Sequence, residues 1–234
     1  MGMNKFLLLF IIAVVVVIGA CLRGPGFKDD CKSIERLPER NNCYFELSAS
    51  MQSTKPCEFI ADNEKLKSGC YAEVSISTVN RLGCQDILDS QVRSYCLAKV
   101  AAVRAELPIC SNIDDESWKD VCYFDVADAT NKTEICGNIG QVSFADQCYD
   151  NLAKKTNYAA GCAFVKDRDK RNRCFLAIAV SSRDADLCNE ISVRELGWNC
   201  FERIAKAKKD PSVCELMDNK SVIEICKADV KALS

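Results

Sequence analysis

Sixteen of the seventeen cysteines in this 234-residue chain fall on one alternating ruler. From Cys84 to Cys226 the separations run 12, 14, 12, 14 without error, and Cys31, Cys43, Cys57 and Cys70 obey the same rule apart from one extra residue between the last two. The region is therefore eight tandem copies of a 26-residue unit: 31–56, 57–83, 84–109, 110–135, 136–161, 162–187, 188–213 and 214–234. A fixed period of about 20 to 50 residues marks a solenoid or similar array, because one such unit cannot bury its apolar face alone and stacking supplies the core.

Other positions repeat with the cysteines and give the secondary structure. Three residues after the first cysteine of each unit stand Ile34, Ile60, Ile87, Ile113, Ile139, Val165, Ile191 and Met217. Four residues after the second stand Leu47, Val74, Val100, Val126, Leu152, Ile178, Ile204 and Val230. The residue directly after the second cysteine is aromatic in six units, as at Tyr44, Tyr71, Tyr123, Tyr149, Phe175 and Phe201. Four residues before it the chain is apolar except at Glu39 and Lys170. Counted from the second cysteine, apolar positions at −4, 0, +1 and +4 make one stripe of a 3.6-residue helix, not the alternation of a strand. That stripe predicts a helix of about four turns.

Small residues at +5, from Ser48 through Ala205, are expected to let a neighbouring helix approach closely. Ser117, Ser143 and Ser221 stand where an N-cap is expected, and Ser221 with Glu224 reads as a capping box. The first cysteine is expected on a shorter helix, best seen where Asp210 precedes Pro211, a cap followed by proline at the first helical position. The fold class is all-α: a solenoid of eight helical hairpins, short helix then long. Stacked at about 10 Å each, they are expected to form a curved rod of about 80 Å.

Pairing within each hairpin joins Cys31–Cys43, Cys57–Cys70, Cys84–Cys96, Cys110–Cys122, Cys136–Cys148, Cys162–Cys174, Cys188–Cys200 and Cys214–Cys226 and uses all sixteen cysteines. Pairing across the longer interval strands Cys31 and Cys226; spacing favours the first scheme, although connectivity does not follow rigorously from sequence. Hairpins this small need staples, and closing such a loop contributes roughly 3 kcal/mol in the chain-entropy model. Zinc, iron–sulfur and dithiol redox sites usually bring cysteines together as C-x-x-C, which is absent here, so neither metal nor cofactor is expected.

The N-terminus addresses the compartment. Met1 to Lys5 is a short basic start, and Phe6 to Leu22 carries no polar side chain, which reads as an export segment (1–21). Its end, Val17-Ile18-Gly19-Ala20-Cys21, resembles the lipobox of prokaryotic lipoproteins, and the resemblance implies lipidation of Cys21 after cleavage. The seventeen apolar residues also reach the lower edge of a bilayer span, so a retained signal anchor is the alternative. Residues 22–30 follow as a tether containing Gly24-Pro25-Gly26, and the repeat domain occupies 31–234. An exported protein at the cell surface or the periplasmic face of the membrane is expected.

Composition removes several function classes. With no histidine there is no Ser-His or Cys-His pair and no imidazole ligand. A net charge of −2 argues against nucleic acid as a partner. The repeat, C-x-x-I and then a cysteine followed by Tyr-x-x-Leu/Val-Ala, resembles the tandem cysteine repeats of archaeal and some bacterial cell-surface proteins. In principle it is also similar to secreted cysteine-rich arrays related to tetratricopeptide repeats, which implies a disulfide-stapled helical array. The 26-residue period departs from the 34 residues of the latter, so no functional residue carries over.

Individual candidates are few. Asn131-Lys132-Thr133 and Asn219-Lys220-Ser221 are glycosylation sequons in expected turns. Lys166 to Arg173 (KDRDKRNR) reads as a solvated turn and helix start, or else as a contact for an anionic ligand. Asp114-Asp115-Glu116 reads as capping and dipole-compensating acids ahead of any acid–base role. Trp118 and Trp198 belong to core or groove. No catalytic residue is assigned. The expectation is a non-enzymatic, membrane-tethered extracytoplasmic scaffold binding a protein, peptide or envelope polymer; the alternatives are a cell-envelope hydrolase using carboxylates and a purely structural surface protein.

Overall fold

The computed structural model describes residues 30–233, so the export segment, Cys21 and most of the tether lie outside the described residues. Among the described residues every regular element is helical. Each unit contributes one long helix: α1 (Leu37–Met51), α2 (Glu64–Ser77), α3 (Ser90–Arg104), α4 (Glu116–Thr130), α5 (Val142–Thr156), α6 (Arg168–Ser182), α7 (Arg194–Lys208) and α8 (Lys220–Lys231). A short helix precedes each one. In units 3 and 4 this is one turn of α-helix, Arg81–Gln85 and Leu107–Ser111; in the other six it is a 3₁₀ segment such as Thr133–Asn138 or Pro211–Leu216.

Consecutive long helices pack side by side in one layer. Each short helix rests on its own long helix and, from the second unit on, on the long helix of the unit before. A disulfide closes every hairpin: Cys31–Cys43, Cys57–Cys70, Cys84–Cys96, Cys110–Cys122, Cys136–Cys148, Cys162–Cys174, Cys188–Cys200 and Cys214–Cys226. All of these cysteines are buried except Cys43, which is half-buried. The staples thus form the axis of the core, flanked by the +4 residues from Val74 to Val230 on one side and Ile60 to Met217 of the short segments on the other.

The small +5 residues make room for the short helix of the next unit. A Cβ on Gly83 would collide with Ser75 Oγ, and one on Gly161 would lie 3.0 Å from Ala153 Cβ. Both glycines immediately precede the first cysteine of their unit, so these contacts set how closely successive hairpins stack.

The long helices start two residues earlier than the serine pattern predicts. Their N-caps are Arg36, Asn63, Asp89, Asp115, Gln141, Asp167, Val193 and Asn219, always seven residues before the second cysteine. Five of these are Asn or Asp, and each accepts a first-turn amide, for example Asp115 from Trp118 at 3.0 Å. Ser117, Ser143 and Ser221 therefore sit inside the first turn, and the expected capping box of Ser221 and Glu224 is replaced by Asn219, which accepts from Ser221 and Val222. Asp210 caps the short segment at Pro211 as expected, accepting from the Ser212 amide at 2.9 Å.

At the other end, Gln52, Val79, Ala105, Asn131, Asn157, Arg183 and Lys209 are all left-handed, with φ between 49° and 56°, although none is glycine. The turn satisfies carbonyls that a helix end leaves open: the amide after the left-handed residue returns to the +5 carbonyl, as Glu106 does to Ala101 at 3.0 Å. The extra residue of unit 2 is absorbed by a further left-handed residue, Asp62, in the loop before α2.

Units 1 and 8 carry polar substitutions in the stripe, as unit 6 does at Lys170. Glu39 takes the −4 place in unit 1 and pairs with Arg36 at 2.6 Å. Lys227 takes the aromatic +1 place in unit 8 and pairs with Glu215 at 2.9 Å.

Candidate binding face

Within the long-helix layer, registers −5, −1, +3 and +7 lie one turn apart and point away from the short helices. Their contents change from unit to unit while the core registers stay constant. On this face units 3 and 4 carry Tyr95, Val103 and Val121, and beside it, at −4 and +2, aromatic side chains meet between neighbouring helices. Trp118 meets Tyr95 edge-on at 5.2 Å, and Phe144 stacks on Phe124 at 5.0 Å. Tyr95 is 37% exposed and Val103 65% exposed, so the face is open to solvent in unit 3, whereas Trp118, Phe124 and Phe144 are half-buried against the core.

A groove of about 590 Å³ runs between the N-terminal halves of α4 and α5. From α4 it is lined by Glu116, Ser117, Asp120 and Val121, and from unit 5 by Gly140, Gln141 and Phe144. A second groove at the same register, about 430 Å³, lies between α6 and α7 and includes Asn172, Arg173 and Leu196.

The floor of both grooves is built by a residue that the sequence pattern did not reveal, two places before the second cysteine. Asp120 accepts the amides of Gly140 and Gln141 at 2.7 and 3.0 Å, and Asp146 accepts those of Lys166 and Asp167 at 2.6 and 2.9 Å. Asn41 exchanges both bonds with the backbone of Ala61, and Asn172 Oδ1 accepts from the amide and hydroxyl of Ser192. The first partner always lies twenty residues on, in the linker of the next unit. Trp198 at the same register donates Nε1–H to Asp218 at 2.7 Å, again twenty residues away. These latches fix the linker that leads into the next long helix. Asn172 Nδ2 is buried without a partner.

The sequence candidates fall as follows. Trp118 is half-buried against the core and meets Tyr95, and Trp198 is tied to Asp218. Asp115 is a cap, Glu116 pairs with Lys119 at 2.7 Å, and Asp114 stands 3.9 Å from Arg93. Asp167 caps α6 and Arg171 donates to the Val165 carbonyl at 3.0 Å, so part of the KDRDKRNR stretch is structural. Asn131 is the left-handed residue ending α4 and Asn219 is the cap of α8; both are exposed. Cys21 lies outside the described residues.

Charge perturbations belong to surface pairs, caps and buried phenols. The hydrogen bond to Glu116 raises the Lys119 ammonium, and those to Glu202 and then Asp229 raise that of Lys206. The hydrogen bond from Arg104 holds the Glu106 carboxyl below its ordinary range. Burial raises the phenols of Tyr71 and Tyr149, with Glu58 and Asp86 adding to the shift at Tyr71. Among the described residues no group of three or more acidic, cysteine or histidine side chains is placed to hold a metal ion, and no helix is long and apolar enough to cross a membrane. Arrangement and chemistry make this a cysteine-rich helical repeat with a variable open face, and no family model, curated protein or solved structure matches the chain.

Proposed function

We propose that the protein is an exported scaffold, held at the outer or periplasmic side of a membrane by a lipid on Cys21 or by an uncleaved N-terminal anchor, whose long-helix face binds a protein, peptide or envelope polymer. The observation that carries this reading is the division of labour within the repeat. Core, staple and turn positions recur in nearly every unit and a latch in five, whereas the open face varies and exposes Tyr95 and Val103 in unit 3. A recurring frame with a variable outer surface is how repeat arrays present extended binding surfaces. Eight buried disulfides favour an oxidising compartment, in agreement with export. Exposed Asn131 and Asn219 are available as glycan acceptors on such a chain.

Photo-crosslinking in intact cells tests the binding face. A crosslinker placed at Val121 or Asn199, on the long-helix face, captures a discrete partner, whereas one at the exposed Asn189 of a short helix does not. Equal capture from both sides refutes the assignment. Fatty-acid labelling lost on Cys21→Ala tests the tether.

A further inference from the structure

The groove between α4 and α5 combines three features that point to one kind of occupant. Its wall is apolar, formed by Val121 and by Phe144 stacked on Phe124. Its lining contains two carboxylates, Glu116 and Asp120, and no cation. Its rim carries exposed carboxylates: the side chain of Glu116, 78% exposed, holds Lys119 at 2.7 Å, and that of Asp114, at the start of the same hairpin turn and 86% exposed, stands 3.9 Å from Arg93.

The surrounding field has the same sign. Units 3 to 5, residues 84–161, hold twelve acidic and seven basic side chains, a net charge of −5. Residues 162–234 hold twelve acidic and fourteen basic, a net charge of +2. The groove and the exposed Tyr95 thus lie in the most negative part of the array. Such a field steers cationic partners and repels anionic ones, while an aromatic wall accepts the aliphatic stem of lysine or arginine and attracts its charged head.

We propose that this groove seats a basic polypeptide segment. A lysine or arginine stem lies over Phe144 and Val121, with its cation taking the place of Lys119 at the exposed Glu116 carboxylate, and the segment's backbone meets Ser117 and Gln141. Asp120 contributes negative charge from below while its oxygens stay committed to the Gly140 and Gln141 amides. This rests on the reading of the long-helix face as the binding face and names the partner chemistry for it.

A displayed library of random twelve-residue peptides, selected on the oxidised full chain in detergent, supplies the probe. Enriched sequences are expected to carry lysine or arginine next to aliphatic residues. Their affinity falls by about tenfold or more on Glu116→Lys or Val121→Lys, as when a central contact is removed, and weakens as salt rises from about 50 to about 300 mM. Both substitutions sit at non-core positions, and an unchanged non-reducing peptide map shows that the fold survives. Enrichment of acidic or neutral peptides, no enrichment, or basic peptides indifferent to both substitutions overturns the proposal. Crosslinking from Asn199 but not Val121 in cells discards this groove and keeps the binding face; no capture at either position discards both.

Discussion

The carboxylate of Asp120 accepts the backbone amide of Gly140 at 2.7 Å across the junction between units 4 and 5. The same carboxylate takes the Gln141 amide, so one side chain satisfies two donors of the linker that starts the next helix. A folded linker has few other sources of acceptors, since its own residues are leaving one helix and entering another.

Asp120→Ala is expected to lower stability by about 1 to 3 kcal/mol, the usual consequence of leaving partly buried donors unpaired. Asp120→Asn keeps one acceptor oxygen, as Asn172 has naturally, and loses less. Chemical unfolding of the oxidised protein gives the comparison. Equal midpoints for wild type and Asp120→Ala show that the latch contributes nothing.

Ala105 occupies the left-handed turn after α3 at φ 54°, and its side chain is exposed. An L-residue there is strained by roughly 1 to 2 kcal/mol, part of which glycine returns as extra freedom in the unfolded chain. Ala105→Gly is therefore expected to stabilise by about 0.5 to 1 kcal/mol, seen as a higher thermal midpoint. Val79 shares the conformation but packs against the core, so Val79→Gly loses contacts and gains little or nothing.

Much of this architecture was legible in the sequence because it is periodic. Cysteine spacing and the −4, 0, +1, +4 stripe define the hairpins. The left-handed turns were not legible: of the seven residues there only Asn131 and Asn157 are types that favour the conformation, and tertiary packing imposes it on Val79, Arg183 and Lys209. The caps could have been found. Asn or Asp recurs seven residues before the second cysteine in five units, but the serines two places later drew the helix start inward. The latch eluded the pattern because Asn41, Asp120, Asp146, Asn172 and Trp198 share a geometric task without sharing a chemical type.

Acid is expected to loosen particular helix starts. The Lys170 amide holds the Asp167 carboxyl below its ordinary range, and the Ser212 hydroxyl and then its amide do the same for Asp210. A carboxylate with a lowered folded pKa contributes stability that is complete above the unfolded pKa and disappears as pH falls through the folded one. Amide exchange at Lys170 and Ser212, corrected for intrinsic rates, should therefore accelerate below about pH 4, and Asp167→Asn should shrink the change at Lys170. A flat profile at both amides excludes the carboxylates as the cause.

The junction between units 5 and 6 divides the core. Buried apolar residues form one cluster from Cys31 to Leu152 and another from Ala153 to Val230. Elsewhere the +2 residue of one long helix and the −4 residue of the next are chiefly apolar, as in the Phe124–Phe144 stack; here those registers hold Asp150 and Lys170. On the short-helix side the junction stays tight, with Tyr149 stacked on Phe164 at 5.2 Å and Gly161 against Ala153. The long-helix side thus lacks the apolar +2/−4 contact that most junctions have, and in an array of nearest-neighbour interfaces that loss favours local opening there. Amide exchange in the first two turns of α6 should be faster than in the same turns of α4. Replacing Asp150 and Lys170 together by leucine should slow it by joining the two clusters, while leaving α4 unchanged. If the paired substitution leaves α6 exchange where it was, the polar pair is not what separates the two halves.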